Sequence, residues 1–249
     1  MTVVLKLGGS LLTDKAGRES IDTERLAMVA ETIGRTQPSS LVLIHGAGSF
    51  GHPLAAQYGV SREEATRNPT AVSAIGSAMT RLNQAFIDAL IDEGVPAVSV
   101  ATGSMAWLTD GTVAVDPGAL TAWLEEGFVP VARGDIVART DHGAGILSGD
   151  DLSVELATAL DADRLGLCSN VPGVLDDNEE VIDEITRYGT VESLIGSPDG
   201  TDVTGGMGGK IRTILDSGVD GSVFGIDDLA AFLDGNHPGT RVMGEARSF

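Results

Sequence analysis

The chain has 249 residues, 42% of them hydrophobic, and its formal net charge is −20 because 36 acidic residues outnumber 16 Lys and Arg residues. This length suits one domain with a large core. So acidic a surface repels nucleic acid and anionic lipid, and no apolar run approaches the roughly 18 residues of a membrane span. We therefore expect no nucleic-acid or membrane partner.

The start, MTVVLKLGGS, lacks the features of a targeting segment, and the single cysteine, Cys168, suits a reducing compartment, so we expect a cytoplasmic protein. The acidic composition is typical of proteins from salt-rich cytoplasm, with an acidic mesophilic protein as the alternative. Lysine is scarce: only Lys6, Lys15 and Lys210 occur, each beside glycines or a turn. Lysine binds phosphate as a compact point charge, so these positions indicate phosphate chemistry.

Apolar strands and amphipathic helices alternate along the chain. The predicted strands span residues 3–7, 41–45, 97–100, 129–132, 164–169 and 222–225, and the predicted helices span 23–35, 71–93, 117–126, 150–160 and 210–217. This alternation predicts a mostly parallel sheet that is covered on both faces and binds ligands at the carboxyl ends of its strands. ARTDHGAGILSGDD reads as a hairpin or loop before a helix, and DDNEEVIDEITRYGTVESLIGSPDG as an irregular acidic insertion.

The first strand ends in KLGGSLLTDK, where Lys6 lies on the strand and Gly8, Gly9 and Ser10 form the predicted turn. Glycines allow a ligand to approach the backbone, and successive amides can form an anion nest. The alternative is an ordinary turn between strand and loop. Lysines at both ends of the segment favour phosphate contact.

The second strand runs into HGAGSFGH, whose glycines have the spacing G-x-G-x-x-G of dinucleotide-binding folds. An NAD-dependent enzyme would need a second strand with an acidic end about 20 residues later, but the chain reads VSREEATRNPTA there. What remains is a glycine loop in which Ser49 and His52 could donate hydrogen bonds to an anion. Alternatively, His52 caps a short helix that begins at Pro53.

Two further segments carry acids or a lysine at a helix start. ILSGDDLSVELATAL places Gly149, Asp150 and Asp151 at the head of a helix, where the acids either cap the helix or orient lysines. DVTGGMGGKIRTIL ends its glycines at Lys210. It is not a Walker A loop, because Thr204 replaces a glycine and Ile211 replaces the Ser or Thr after the lysine.

In this order, LKLGGSLLTDK, HGAGSFGHP, GDIV, ILSGDD and DVTGGMGGK resemble the amino acid kinase superfamily, and within it most closely the isopentenyl phosphate kinases. The resemblance covers nearly the whole chain. GSFGHP, with its histidine, distinguishes this branch from kinases that act on carboxylates or carbamate. The resemblance implies an open three-layer αβα sandwich, with an acceptor-binding lobe over about residues 1–162, a nucleotide-binding lobe over about 163–249, and a homodimer.

The implied reaction is transfer of the γ-phosphoryl group of ATP to isopentenyl phosphate, in mevalonate-derived isoprenoid synthesis. The alternatives are a sister kinase for another phosphate or phosphonate acceptor, such as fosfomycin, and a non-catalytic nucleotide-binding regulator. No His, Cys and acid cluster has the spacing of a zinc or iron site, so we expect no protein metal site and only Mg²⁺ carried in with ATP.

The resemblance also implies roles for individual residues. Lys6 and Lys210 would contact the β and γ phosphates, Lys15 would reach the transferring group, and Asp150 would hold the two former lysines. Ala47 and Gly48 would present amides between the substrates, and His52 would bind the acceptor's phosphate. The remaining expected ATP contacts are Gly8, Gly9, Ser10, Ser169, Gly173, Gly205 and Gly209, and the remaining acceptor contact is Gly149.

The isoprenoid tail needs an apolar slot, for which Ile75, Met79 and Ile146 are candidate wall residues. The alternative for each is an ordinary core position. The segment SNVPGV departs from the family pattern, with Asn170 and Pro172 in place of acids, and Ala47 stands where a third glycine is common. Ribose and adenine contacts in that segment are therefore left open.

Overall fold

The structure is a computed structural model that describes residues 1–14, 17–36, 40–140, 142–187, 189 and 206–244, with only the backbone at residues 206, 207, 210 and 216. Residues 188 and 190–200 of the predicted acidic insertion lie outside these ranges. No helix in the described ranges is long and apolar enough to cross a membrane.

The main sheet is built from short apolar strands, as the alternation predicts. Its strands, in spatial order, are β10 (Glu184–Ile185), β12 (Thr240–Val242), β11 (Gly221–Gly225), β9 (Arg164–Ser169), β1 (Val3–Leu7), β2 (Leu41–His45), β6 (Val129–Arg133) and β3 (Ala97–Ser99). All neighbours are parallel except β11 and β12. The predicted mostly parallel sheet is confirmed.

Helices cover both faces of this sheet. They are α1 (Gly9–Leu12), α2 (Thr23–Thr36), α3 (Gly48–Tyr58), α4 (Pro69–Asp92), α5 (Gly118–Glu125), α6 (Gly149–Ala159), α7 (Gly206–Ser217) and α8 (Leu229–Leu233). Along β1, Leu5 packs in one apolar cluster with α2 and α4, whereas Val4 packs in the other with α6 and α7. Because side chains alternate along a strand, the sheet separates the two clusters, and the αβα sandwich is confirmed.

A second sheet lies beside the first, in the order β5 (Thr112–Val115), β4 (Ala106–Thr109), β7 (Asp135–Arg139) and β8 (Gly143–Leu147). Of the two possibilities that the sequence left open for residues 138–151, a hairpin or a loop, the structure shows the β7–β8 hairpin. The sequence did not predict β4 and β5. These two strands pair with each other around a turn in which Asp110 and Gly111 have positive φ.

The segment after β2 corrects the expectation of a glycine loop. Helix α3 begins at Gly48, whose φ is +49°, and contains Pro53 in its interior. Proline has no N–H, so it cannot bond the Ser49 carbonyl four residues earlier. That carbonyl instead accepts a hydrogen bond from the Glu19 amide at 3.1 Å. The helix therefore tolerates its proline, and the predicted helix start at Pro53 is wrong.

Candidate active site

The site is built where the central strands end side by side. Leu7 at the end of β1 is in register with His45 on β2 and Cys168 on β9. Two cross-strand bonds extend this pairing into the loops, because the Gly8 amide donates to the Cys168 carbonyl and the Gly46 amide donates to the Leu7 carbonyl. The chain segments predicted to bind phosphate thus begin next to each other.

Lys6 and Asp150 form an ion pair at this edge, with 2.7 Å between Nζ and Oδ1. The two side chains are only 7% and 14% exposed. Lys6 comes from β1 and Asp150 from the first turn of α6, so the pair joins two elements far apart in the sequence. The carboxylate holds the nearly buried ammonium in a fixed position, where it can donate hydrogen bonds to a phosphate.

The two glycine segments, residues 8–10 and 46–48, are in direct contact. A Cβ added to Gly9 would lie 2.2 Å from the Gly48 nitrogen, and one added to Gly46 would lie 2.7 Å from the Gly9 nitrogen. Only glycine fits at such distances. Gly9 and Ser10 lie in the first turn of α1, which is a helix and not the expected turn.

Most amides around the second glycine segment already have acceptors. Ser49 donates to Thr13 Oγ1 at 3.0 Å, and Phe50 and Gly51 donate to the Ala47 carbonyl. Among the described residues, no backbone carbonyl accepts a hydrogen bond from the amides of Ala47 and Gly48. These are the two amides that were expected to lie between the substrates.

The sequence also assigned Ser49 a possible contact with an anion, but its hydroxyl is used elsewhere. Ser49 is buried, donates to the Ser20 carbonyl at 3.1 Å and accepts from the Ser20 amide at 3.2 Å. Its role here is to hold the segment around Ser20 against α3.

His52 lies on α3, one turn beyond Gly48, and is exposed. Because the helix starts at Gly48, His52 cannot cap a helix at Pro53, and that alternative is wrong. Gly51, its neighbour, packs so closely on α4 that a Cβ there would lie 2.9 Å from Met79 Sδ. Helix α3 is therefore held firmly at the point where it presents His52.

Ser148 caps α6 by accepting a hydrogen bond from the Asp151 amide at 3.0 Å. Gly149 is buried at the first helical position, where a Cβ on Gly134 would lie 2.8 Å from its nitrogen. The helix N-terminus, whose amides attract anions, thus stands next to the ends of β2 and β6.

The candidate tail-binding residues belong to the apolar core. Ile75 and Met79 are each 1% exposed, and Ile146 is partly buried against the same cluster. All three thus belong to or pack against one large apolar cluster, as ordinary core positions do.

The segment after β9 meets α1 and α2 through Asn170. Its Nδ2 donates to Ser10 Oγ at 2.7 Å, and its Oδ1 accepts from Arg25 at 3.3 Å. Ser169 is half-buried, whereas Gly173 is buried where a Cβ would lie 2.7 Å from Val181. Gly173 therefore has a packing role.

The remaining predicted residues are described only in part. Lys15 and Gly205 lie outside the described residues. Lys210 lies in α7, with only its backbone described, and Gly209 is half-buried beside it. No group of three or more His, Cys, Asp or Glu side chains in the described ranges could hold a metal ion.

A buried polar group behind the glycine loops was missed by the sequence analysis. His45 is fully buried, with Nε2 3.1 Å from Asn83 Oδ1 and Nδ1 3.0 Å from the Gly46 carbonyl. Burial lowers the pKa of its imidazole to about 4. The sequence feature that could have indicated this buried group is a histidine at the end of an apolar strand.

Arg133 and Asp135 form a buried ion pair near His45, with 2.9 Å between Arg133 Nε and Asp135 Oδ2. Burial raises the pKa of the Asp135 carboxyl, although the positive charge of Arg133 acts to lower it.

Comparison with known proteins agrees with this architecture. The profile of the amino acid kinase family matches residues 1–222. Isopentenyl phosphate kinase from Haloferax volcanii is 47% identical over 245 residues, covering 98% of this chain and 99% of that protein. The enzyme of the same name from Methanothermobacter thermautotrophicus is 36% identical, again over 98% and 99% of the two chains.

A solved X-ray structure of isopentenyl phosphate kinase superposes with a TM-score of 0.82 at 32% identity, over 97% of this chain and 99% of that one. The family match covers most of the chain, and the fold agrees with it. The chain belongs to the amino acid kinase family.

Proposed function

We propose that this chain transfers the γ-phosphoryl group of ATP to isopentenyl phosphate, giving isopentenyl diphosphate and ADP. Relatives with that name match it over almost their full length. The observation that carries the proposal is the Lys6–Asp150 ion pair, 2.7 Å long and nearly buried, beside two contacting glycine segments. This arrangement suits two phosphates that must approach each other.

In the proposed mechanism an oxygen of the acceptor's phosphate attacks the γ phosphorus, the bond to the β–γ bridging oxygen breaks, and ADP leaves with that electron pair. The acceptor phosphate is already ionised near pH 7, so no strong base is needed. Lys6, Lys15 and Lys210 stabilise the charge that develops, and Asp150 positions Lys6.

The acceptor's phosphate lies against the amides of Ala47, Gly48 and Gly149, with His52 donating to it. ATP lies along residues 8–10 and the segments around Ser169 and Gly209. The nucleotide belongs to the lobe from about residue 163 onward and the acceptor to the lobe before it. Phosphate oxygens would supply most of the ligands for the Mg²⁺ carried in with ATP, and the bound ion would neutralise charge there.

The proposal extends to a homodimer in a salt-rich cytoplasm. The net charge of −20 and the scarcity of lysine support the salt-rich setting.

The test is ADP release with ATP and Mg²⁺ over a panel of acceptors at high salt: isopentenyl phosphate, fosfomycin, N-acetylglutamate and carbamate. We expect turnover with isopentenyl phosphate to exceed that with the others. Preference for fosfomycin would indicate the sister kinase, and tight ATP binding without any ADP would indicate a regulator.

Lys6→Met serves as the catalytic control in this assay. Loss of a charge contact in the transition state lowers turnover by about 10²-fold or more, with a smaller change in ATP binding. Asp150→Asn should have part of this effect, since it only loosens the lysine. Near-normal turnover of Lys6→Met would contradict the proposed mechanism.

A further inference from the structure

The first turn of α6 carries two adjacent carboxylates, and each is paired with a cation from another element. Asp150 pairs with Lys6 of β1, and Asp151 pairs with Arg62 of the loop between α3 and α4. Both pairs measure 2.7 Å, and the carboxylates are 14% and 13% exposed. Only the Lys6 pair has a role in the proposed mechanism so far.

The loop that carries Arg62 is fixed by its backbone. The Ile146 amide donates to the Ser61 carbonyl, and Thr66 and Ala144 exchange two backbone hydrogen bonds at 2.8 Å. Arg139 donates to the carbonyls of Arg62 and Glu63 at 2.9 and 2.8 Å. The Arg62 side chain is therefore not needed to hold the loop on the β7–β8 hairpin.

What the Arg62 side chain changes is the charge at the start of α6. Asp151 lies two residues after Gly149, and its carboxylate is nearly buried, so solvent screens it poorly. An unpaired carboxylate there would repel a phosphate placed at the helix N-terminus and offset the attraction of the amides.

We propose that Arg62 is a positioning residue for the acceptor: it neutralises Asp151, so that the N-terminus of α6 can accept a dianionic phosphate. This inference rests on the proposed function for the location of the acceptor. It differs from a simple tether in what it predicts for Asp151, because the charge role needs the arginine only while the carboxylate is present.

Four variants separate these roles: Arg62→Gln, Asp151→Asn, the double variant, and Arg241→Gln as a matched control. Arg241 makes a comparable 2.8 Å ion pair with Asp220, near the start of β11 and away from the strand ends that form the site. Its replacement changes the net charge by the same amount as Arg62→Gln.

The readouts are kcat and KM for isopentenyl phosphate and for ATP, together with melting temperature. Arg62→Gln should raise the acceptor KM by about tenfold at low salt, with a smaller rise at high salt because ions screen the repulsion. The KM for ATP and kcat should change less. Asp151→Asn should leave the acceptor KM at or below the wild-type value, the double variant should return to within about twofold of wild type, and Arg241→Gln should not change it.

A rise in the acceptor KM in Asp151→Asn equal to that in Arg62→Gln, without rescue in the double variant, would overturn the inference in favour of a tether. An unchanged KM in Arg62→Gln would also overturn it. If the wild-type chain does not phosphorylate isopentenyl phosphate, the proposed function fails by itself. In that case the affinity of the same variants for inorganic phosphate is measured by titration calorimetry. The inference then requires weaker binding in Arg62→Gln, and binding close to that of the wild type in Asp151→Asn, the double variant and Arg241→Gln.

Discussion

At the scale of single residues, two histidines near the site have opposite environments. His52 is exposed on α3, whereas His45 is fully buried behind the glycine loops. The first lies at the protein surface, and the second is part of the fold. Replacing His52 is therefore expected to change substrate binding, whereas replacing His45 is expected to change stability.

Replacing His52 with Ala should raise the KM for the acceptor by about tenfold or more, because a hydrogen bond to a charged phosphate is lost. The KM for ATP should stay nearly unchanged. His52→Gln keeps a donor of similar reach and should recover part of the loss. Equal losses for both substrates, together with a lower melting temperature, would instead mean that His52 serves the fold.

His45 should make the protein sensitive to acid. Its folded pKa is about 4, below the ordinary 6.5, so the unfolded chain binds the proton more readily. This stabilisation is complete above about pH 6.5 and is lost as the pH falls toward 4, which amounts to about 3 kcal/mol. Denaturant unfolding between pH 7.5 and 4 measures it.

His45→Gln should be less stable at neutral pH and should show a shallower fall in acid. Replacement of an exposed histidine, His142→Gln, is the matched control. Asp135, whose pKa is raised by burial, acts in the opposite direction in acid, so the comparison is made between variants and not from the wild-type curve alone. Identical acid slopes in wild type and His45→Gln would refute the assignment.

At the scale of elements, the site depends on the contact between α1 and the start of α3. Glycines at positions 9, 46 and 48 let the two backbones approach within a distance that a single methyl group would block. Thr13 reinforces the contact, since its hydroxyl donates to the Gly9 carbonyl at 2.9 Å and accepts from the Ser49 amide. The geometry of both glycine segments therefore rests on one close approach.

Gly9→Ala should separate these two helices. The added methyl group would meet the Gly48 nitrogen at 2.2 Å, and relief of that overlap should cost about 1–3 kcal/mol of unfolding free energy together with most of the activity. Gly76→Ala on α4 is the matched control, because its nearest neighbour would be 3.9 Å away. That variant should be as stable as wild type or up to about 1 kcal/mol more stable. Full activity in Gly9→Ala would show that the close approach is dispensable.

At the scale of the whole molecule, the net charge of −20 opposes the compact state through repulsion among carboxylates. Raising KCl from about 0.1 to about 1 M shortens the Debye length from about 10 to about 3 Å. The melting temperature should rise over this range. Sucrose at the same osmolality is the control for effects other than screening, and a melting temperature that falls with KCl would contradict the expectation.

Local sequence patterns were enough to predict the alternation of elements and the edge of the sheet at which ligands are expected. Strands such as β1 and β2 were predicted to the residue, because runs of β-branched and other apolar residues form local patterns that a buried parallel strand requires. The site followed from these strands, since parallel strands bring their carboxyl ends, and the glycines after them, to one edge. Family resemblance, carried by ordered motifs, added the chemistry.

The contacts between distant side chains, by contrast, could not be predicted from local patterns. Helix α3 continues through Pro53 because the Glu19 amide donates a hydrogen bond to the Ser49 carbonyl, to which proline cannot donate. A partner so distant in the sequence cannot be predicted from a local pattern. Arg62 and Asp151 are 89 residues apart, and His45 meets Asn83 across two elements. Local propensity is a property of neighbouring residues, whereas ion pairs, buried pKa shifts and close glycine contacts depend on distances that exist only once the chain has packed.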